Sequence, residues 1–290
     1  MPEYTTTQRW LLLRALHIVV ILSACDEGNV PTSSSAADLQ TDIGSERDLS
    51  LIPTIKDMYS TPVDMFLSLD MEVEQSSYPL PPEGYPLFRL PIKHEDLDNI
   101  DHRFVFGVDH DAQTGNRILC EDYAGRIFPH CYDGHMGSDF ILLGGFETMD
   151  NGSARVVAAF DGIVIETHDG EYDRCHGDPV TFDITCDGYP MRSNYVAIEH
   201  EGGWRTDYYH LKMNSVQVAV GDQIYCGDIL GMVGSSGYSS APHLHFEVSD
   251  QWGLVWDPFA GPSSQEFSLW TYQPSPGTSD SLPSTSCSSP

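Results

Sequence analysis

Along this chain apolar side chains fall in short runs or alternate with polar ones, and no stretch carries the period of a long amphipathic helix. Residues 155–160, the pair Asp161-Gly162 and residues 163–167 read as strand, turn and strand. Further short strands are predicted at 194–199, 204–210, 216–220, 229–233 and 243–249. Turn glycines punctuate them at Gly170, Gly202, Gly203, Gly221, Gly227, Gly231 and Gly237. The pattern is that of an all-β domain. The stretch 168–192 is too long for a tight turn and is expected to form a loop beside whatever cleft the sheet carries.

The flanks read differently. Arg9 precedes an apolar run from Leu11 to Ile21 that Arg14 and His17 interrupt, too short for a permanent bilayer span, so residues 1–24 are expected to be an export signal. The run ends in Leu22-Ser23-Ala24-Cys25. This quartet resembles the lipobox of bacterial lipoproteins and implies a lipid anchor at Cys25; an ordinary signal peptide with Cys25 in a disulfide is the alternative. Residues 25–50 are small and polar, as a tether would be. Residues 51–130 are expected to be an irregular extension packed on the domain, since Pro79, Pro81, Pro82 and Pro86 favour extended backbone. Residues 131–265 remain as the folded domain, and residues 266–290 as a Ser/Pro-rich tail held by Cys287.

Charge narrows the partners. Lys and Arg total 14 against 43 Asp and Glu, a net charge of -29 that repels polyanions and excludes nucleic acid as a partner. A hydrophobic content of 40% suffices for a core, so the acidity belongs to the surface. With Cys25 lipidated, six cysteines remain, none in a C-x-x-C pair, which suits disulfides in an oxidising, extracytoplasmic compartment of the cell envelope, periplasm or outer membrane. The local pairs are Cys120 with Cys131 and Cys175 with Cys186. Elimination then joins Cys226 to Cys287, one of about fifteen possible connectivities for six cysteines.

Of the 12 histidines, His243 and His245 stand out, because in a strand residues i and i+2 share a face while Leu244 points into the opposite layer. Upstream, His135 and Asp139 are four apart and can approach one point from an extended or a helical backbone. His210 ends the aromatic stretch Tyr208-Tyr209 and is a third candidate. Ligands of His, Asp and His type that leave one position open for water are what a catalytic zinc site needs.

The order and surroundings of these residues resemble the lysostaphin-like zinc metalloendopeptidases of bacterial cell walls. The matching pieces are Gly134-His135-Met136-Gly137-Ser138-Asp139-Phe140, Val157-Ala158 with Gly162 and Val164, Tyr209-His210-Leu211 and Val220-Gly221-Asp222. They continue through Gly227-Asp228-Ile229-Leu230-Gly231, Gly234-Ser235-Ser236-Gly237, Pro242-His243-Leu244-His245-Phe246-Glu247 and Trp256-Asp257-Pro258. The resemblance implies an all-β, mainly antiparallel catalytic domain of the duplicated hybrid motif type over 131–265. It implies Zn2+ on the metal ligands His135, Asp139 and His245, and His210 and His243 as unligated catalytic histidines. Spacing leaves open which of those two is the base. Ala241 stands where the family commonly has glycine, and the cysteine-bearing insertion at 168–192 is a larger departure that bears on substrate preference. Glu247, two beyond His245, reads equally as support for the metal site or as a surface carboxylate.

The segment 109–115 has the look of a calcium loop, but its glycine is one position late, so a solvated acidic turn is expected. The sequon Asn151-Gly152-Ser153 reads as a turn, and H-E-x-x-H, G-x-S-x-G, Walker A and dinucleotide signatures are absent. The expected function is hydrolysis of peptide bonds in peptidoglycan cross-links or stem peptides. The alternatives are a non-hydrolytic module regulating another wall hydrolase and a secreted protease acting on Gly-rich proteins.

Overall fold

The structure, a computed structural model, describes residues 78–111, 113–178, 183–276 and 282–288. The expected export signal, Cys25, the tether and residues 51–77 of the extension lie outside them. Among the described residues no helix is long and apolar enough to cross a membrane.

The strands are β1 (Ile100–Phe106), β2 (Ser138–Leu142), β3 (Arg155–Val157), β4 (Gly162–His168), β5 (His176–Gly177), β6 (Ile184–Thr185) and β7 (Tyr195–Glu199). They continue with β8 (Arg205–Tyr209), β9 (Gln223–Ile224), β10 (Ile229–Met232), β11 (His243–Ser249) and β12 (Val255–Trp256); a short α-helix, α1 (Phe146–Asn151), follows β2, and short 3-10 helices lie at His94–Asn99 and Glu201–Gly203. The main sheet runs β1-β2-β11-β8-β7-β4-β9, with β12 paired to the far end of β11; β10 with β3 and β5 with β6 form two small ribbons. Every strand pair is antiparallel. The fold is therefore the mostly antiparallel all-β class expected.

Alternation along the strands separates core from site. Phe140 and Leu142 of β2, Leu244, Phe246 and Val248 of β11, and Tyr208 of β8 are buried in one hydrophobic core. Asp139, His243, His245 and Tyr209 are the intervening residues on the other face. The flanks fill the same core: Phe88, Leu90 and Ile92 from the N-terminal side and Leu269 and Trp270 from the C-terminal side are fully buried. Phe88 donates its N–H to the Leu269 carbonyl at 2.7 Å, and Phe246 stands 6.0 Å from Phe88 and 5.7 Å from Trp270, ring to ring. Burying one such side chain contributes roughly 1.5–3 kcal/mol.

Three local expectations are corrected. The strands on either side of Asp161-Gly162 do not pair with each other: β3 pairs with β10, whereas β4 lies between β7 and β9. The cause is competition for donors, since the Ala158 N–H goes to the Asp228 carbonyl and the Ala159 N–H to the Tyr208 hydroxyl, both at 2.9 Å. Residues 216–220 form no strand, because Asp169 accepts the Val216 N–H at 3.1 Å and Asp222 accepts that of Ala219 at 2.9 Å. β1 had no counterpart in the sequence reading; it is added at the sheet edge by the segment 100–106. The three disulfides are Cys120–Cys131, Cys175–Cys186 and Cys226–Cys287.

Candidate metal centre

Register brings the site together. β11 lies between β2 and β8, so His245 stands directly opposite Asp139 on one side and Tyr209 on the other. His135 enters from the loop just before β2. That loop is fixed by Asp109, whose carboxylate accepts the backbone N–H of Gly134 at 2.9 Å, of Asp111 at 2.9 Å and of Glu121 at 3.1 Å. The acidic turn at 109–115 therefore serves as a loop brace.

Three donor atoms converge. His135 Nε2 is 3.1 Å from Asp139 Oδ1 and 3.1 Å from His245 Nδ1, and His245 Nδ1 is 2.8 Å from Asp139 Oδ1. His135 and Asp139 are buried, and His245 is half-buried. His135 Nδ1 donates its proton to the Gly107 carbonyl at 2.6 Å, which leaves the Nε2 lone pair facing the other two donors. The Tyr132 ring stacks on His135 at 4.3 Å and holds its plane.

This donor set fits a cation. Ligands about 2.0–2.1 Å from a tetrahedral zinc lie roughly 3.3 Å apart, close to the 2.8–3.1 Å edges here. Electrostatics agree: burial disfavours the charged Asp139 carboxylate, but His135 and His243 and the bonds from His135 and His245 hold it well below the usual range. Burial likewise works against a charged His245, yet Asp139 and Glu247 hold it up to about 9. A proton on His245 then sits where a cation would be shared. Glu247 Oε2 is 3.6 Å from His245 Nε2, on the side away from Asp139, so it faces the edge of the ring that binds no other donor.

His210 and His243 stand beside this triangle with their rings 4.6 Å apart. His243 Nδ1 donates to the Ala241 carbonyl at 2.7 Å and His210 Nδ1 to that of Ser236 at 2.7 Å, so Nε2 is the free acceptor on both rings. His243 Nε2 is 3.6 Å from Asp139 Oδ2. Burial pushes both rings toward the neutral form, His210 well below its ordinary value with the neighbouring His243 adding to the effect. His210 adopts a left-handed backbone, φ 63°, uncommon for a residue with a Cβ. The Ser193 hydroxyl accepts its N–H at 2.9 Å, and its carbonyl accepts that of Gly234 at 3.0 Å.

The structure thus gathers all five residues singled out from the sequence. Sequence reasoning missed the carbonyls of Gly107, Ser236 and Ala241, which no side-chain pattern announces, and Tyr132 and Asp109. It also missed a brace from the cysteine insertion: Cys175 donates its N–H to the Ser235 carbonyl at 2.9 Å and accepts the Ser235 hydroxyl at 2.6 Å. Ser235 Oγ lies 2.8 Å from Ser239 Oγ, which is 3.3 Å from His243 Nδ1.

Comparison with known proteins adds the following. Residues 144–257 match the model of peptidase family M23, a span that includes His210, His243 and His245 and begins after His135 and Asp139. Lysostaphin of Staphylococcus simulans is 50% identical over 50 residues, 17% of this chain and 10% of that one. The peptidoglycan DD-endopeptidase ShyB of Vibrio cholerae is 28% identical over 124 residues, 43% of this chain and 21% of that one. The chain therefore spans about a fifth or less of the length of these curated relatives. Among solved structures, the catalytic domain of Staphylococcus simulans lysostaphin superposes with a TM-score of 0.30 at 27% identity, covering 43% of this chain and 77% of that one.

Proposed function

We propose that the M23 domain carried by this chain is a zinc-dependent endopeptidase that hydrolyses peptide bonds of peptidoglycan cross-links or stem peptides in the cell envelope. The observation that carries this reading is the convergence of His135 Nε2, Asp139 Oδ1 and His245 Nδ1 within 3.1 Å beside two further histidines with free Nε2 atoms. A regulator without hydrolytic activity has no use for that pair of neutral bases. Peptidoglycan as substrate is supported by the similarity to the peptidoglycan DD-endopeptidase of Vibrio cholerae.

Zinc on these three ligands would act as a Lewis acid and lower the pKa of bound water. The protein's own part is proton traffic. Of His210 and His243, one takes a proton from the attacking water at its free Nε2, and the other, when it carries a proton on Nε2, donates it in a hydrogen bond to the oxygen that gains charge as the carbonyl carbon becomes tetrahedral. When the C–N bond breaks, the leaving nitrogen recovers that proton and departs as an amine, while the carbonyl carbon keeps the water oxygen as a carboxylic acid. Burial keeps the base neutral, and the carbonyl on each Nδ1 makes Nε2 the nitrogen through which either ring takes up or offers a proton.

The catalytic segment is assigned to 131–265, completed by β1 and the buried residues 88–92 and 269–270, behind an export signal at 1–24 and a tether at 25–50 anchored by lipid on Cys25, an arrangement that suits an enzyme outside the cytoplasm. The test is mass spectrometry of muropeptides after digestion by the purified protein with and without chelator. Chelator-sensitive cleavage of stem or cross-link peptides is expected; sacculi left intact by the zinc-loaded protein overturn the reading.

A further inference from the structure

β11 carries a second concavity at its far end. A cleft of about 230 Å³ opens there between the 83–85 turn, the 202–204 segment and the hairpin joining β11 to β12. Its floor is aromatic: Tyr85, Trp204 and Trp256 stand 5.4 to 5.6 Å apart, centroid to centroid, tilted by 50 to 68°. At the hairpin tip Trp252 is 80% exposed, an indole offered to water where the core makes no use of it.

The hairpin holding Trp252 is fixed. Asp250 Oδ1 accepts the N–H of Trp252 at 2.9 Å and of Leu254 at 3.0 Å, Oδ2 accepts the Trp256 indole N–H at 3.2 Å, and Gly253 closes the turn at φ 76°. The rim adds exposed Glu83 and Gln251, an acceptor and an amide, and no lysine or arginine lines the cleft.

Floor and rim together select a ligand with one flat C–H face and hydroxyls around its edge. That is a pyranose, which stacks on an indole and bonds at its rim. A small ammonium ion suits the cleft less well. A cation site sets ring faces within about 6 Å around the ion, whereas these three rings pack against one another as a floor, and the Asp250 carboxylate is already held by three N–H groups. The cleft is also smaller than the roughly 300–1,000 Å³ of drug-sized sites, which limits it to one or two rings.

We propose that this cleft binds a neutral saccharide unit of the glycan whose attached peptide is cut at the histidine centre. The identity of the sugar rests on the peptidase reading above; the chemistry of the cleft does not. Asp250 lies one residue past the end of β11 and five beyond His245, about 17 Å along the chain at roughly 3.4 Å per residue, so the cleft is a separate site from the histidine centre.

The test uses the full chain and a neutral, peptide-free tetramer of N-acetylglucosamine, titrated against tryptophan fluorescence. A saturable change is expected, weakened about tenfold or more in Trp252→Ala, whose exposed position leaves folding intact. Hydrolysis of a sugar-free cross-linked peptide should be equal in the two proteins, while hydrolysis of intact sacculi should fall in the variant. No saturable response at millimolar tetrasaccharide, equal affinity in Trp252→Ala, or displacement of the sugar by tetramethylammonium overturns the proposal. Sugar binding that Trp252→Ala abolishes, with neither substrate cleaved by the wild type, supports the cleft and overturns the peptidase reading.

Discussion

Gly137 and His245 are in contact across the strand pair: a Cβ at Gly137 would stand 2.6 Å from the His245 ring and 2.8 Å from the Phe246 carbonyl. The backbone of Gly137 forms the wall against which His245 is held. Gly137→Ala is therefore expected to displace the ring and to strain the β11 backbone at Phe246, weakening metal binding by about 10–100-fold, as loss of a supporting contact does. Chelator competition followed by metal content is the measurement, and unchanged affinity would show that the ring has room to give.

Removing a donor outright should do more. His245→Ala is expected to lose stoichiometric zinc, because His135 and Asp139 alone supply two corners of a tetrahedral site. Elemental analysis of dialysed protein decides it, and a variant that keeps one ion per chain removes His245 from the ligand set.

The histidines beside the triangle should separate binding from rate. His210→Ala and His243→Ala are expected to retain zinc and to lose about 10²–10⁴ in kcat, the usual contribution of proton transfer. Metal content and kcat measured on the same samples check this; loss of metal from either variant would make that residue a ligand.

The brace can be cut without touching a histidine. Replacing Cys175 and Cys186 together by alanine frees the loop that bonds Ser235, next to the carbonyl that orients His210. Stability should fall by about 2–4 kcal/mol, and kcat should fall with no change in zinc affinity. Urea unfolding and steady-state kinetics report the two effects, and a kcat equal to wild type would separate the brace from the chemistry.

Away from the site, His200 should give stability its pH dependence. Burial pushes its pKa down to about 4 against the bond to the Asp161 carbonyl, and Thr206 Oγ1 lies 2.7 Å from its other nitrogen. The unfolded chain, with histidine near 6.5, binds the proton more readily, so stability is complete above about pH 6.5 and declines as the pH falls toward 4. The loss reaches about 3 kcal/mol below that window. Urea midpoints between pH 7 and 4 should show this slope in the wild type and a flatter one in His200→Asn.

How much of this was legible depends on whether side chains or backbone carry the information. The shared face of His243 and His245 follows from a period of two, as does the burial of Leu244, and both are found on β11. The pairing of β3 with β10 was hidden because Ala158 and Ala159 look like strand residues, whereas their amides answer to Asp228 and Tyr208, far away in sequence. The three carbonyls that set the histidine tautomers were invisible for a related reason, since every residue has one and only the fold says which is 2.6–2.7 Å from a ring. Phe88 and Trp270 lay in stretches read as extension and tail, where prolines and serines masked the large buried rings between them.

The meeting of Phe88, Phe246 and Trp270 has a consequence for how the molecule comes into being. A chain synthesised from its N-terminus holds every histidine of the centre by residue 245, yet the layer beneath β11 stays open until residues 269 and 270 arrive. Nascent chains that stop short of them carry all the donors on an unsealed sheet, with Phe88 and Phe246 exposed to proteases and chaperones. A chain cut before Leu269 thus keeps every donor of the centre but lacks the layer that seals β11, and is expected to lose stability rather than to form a smaller independent domain.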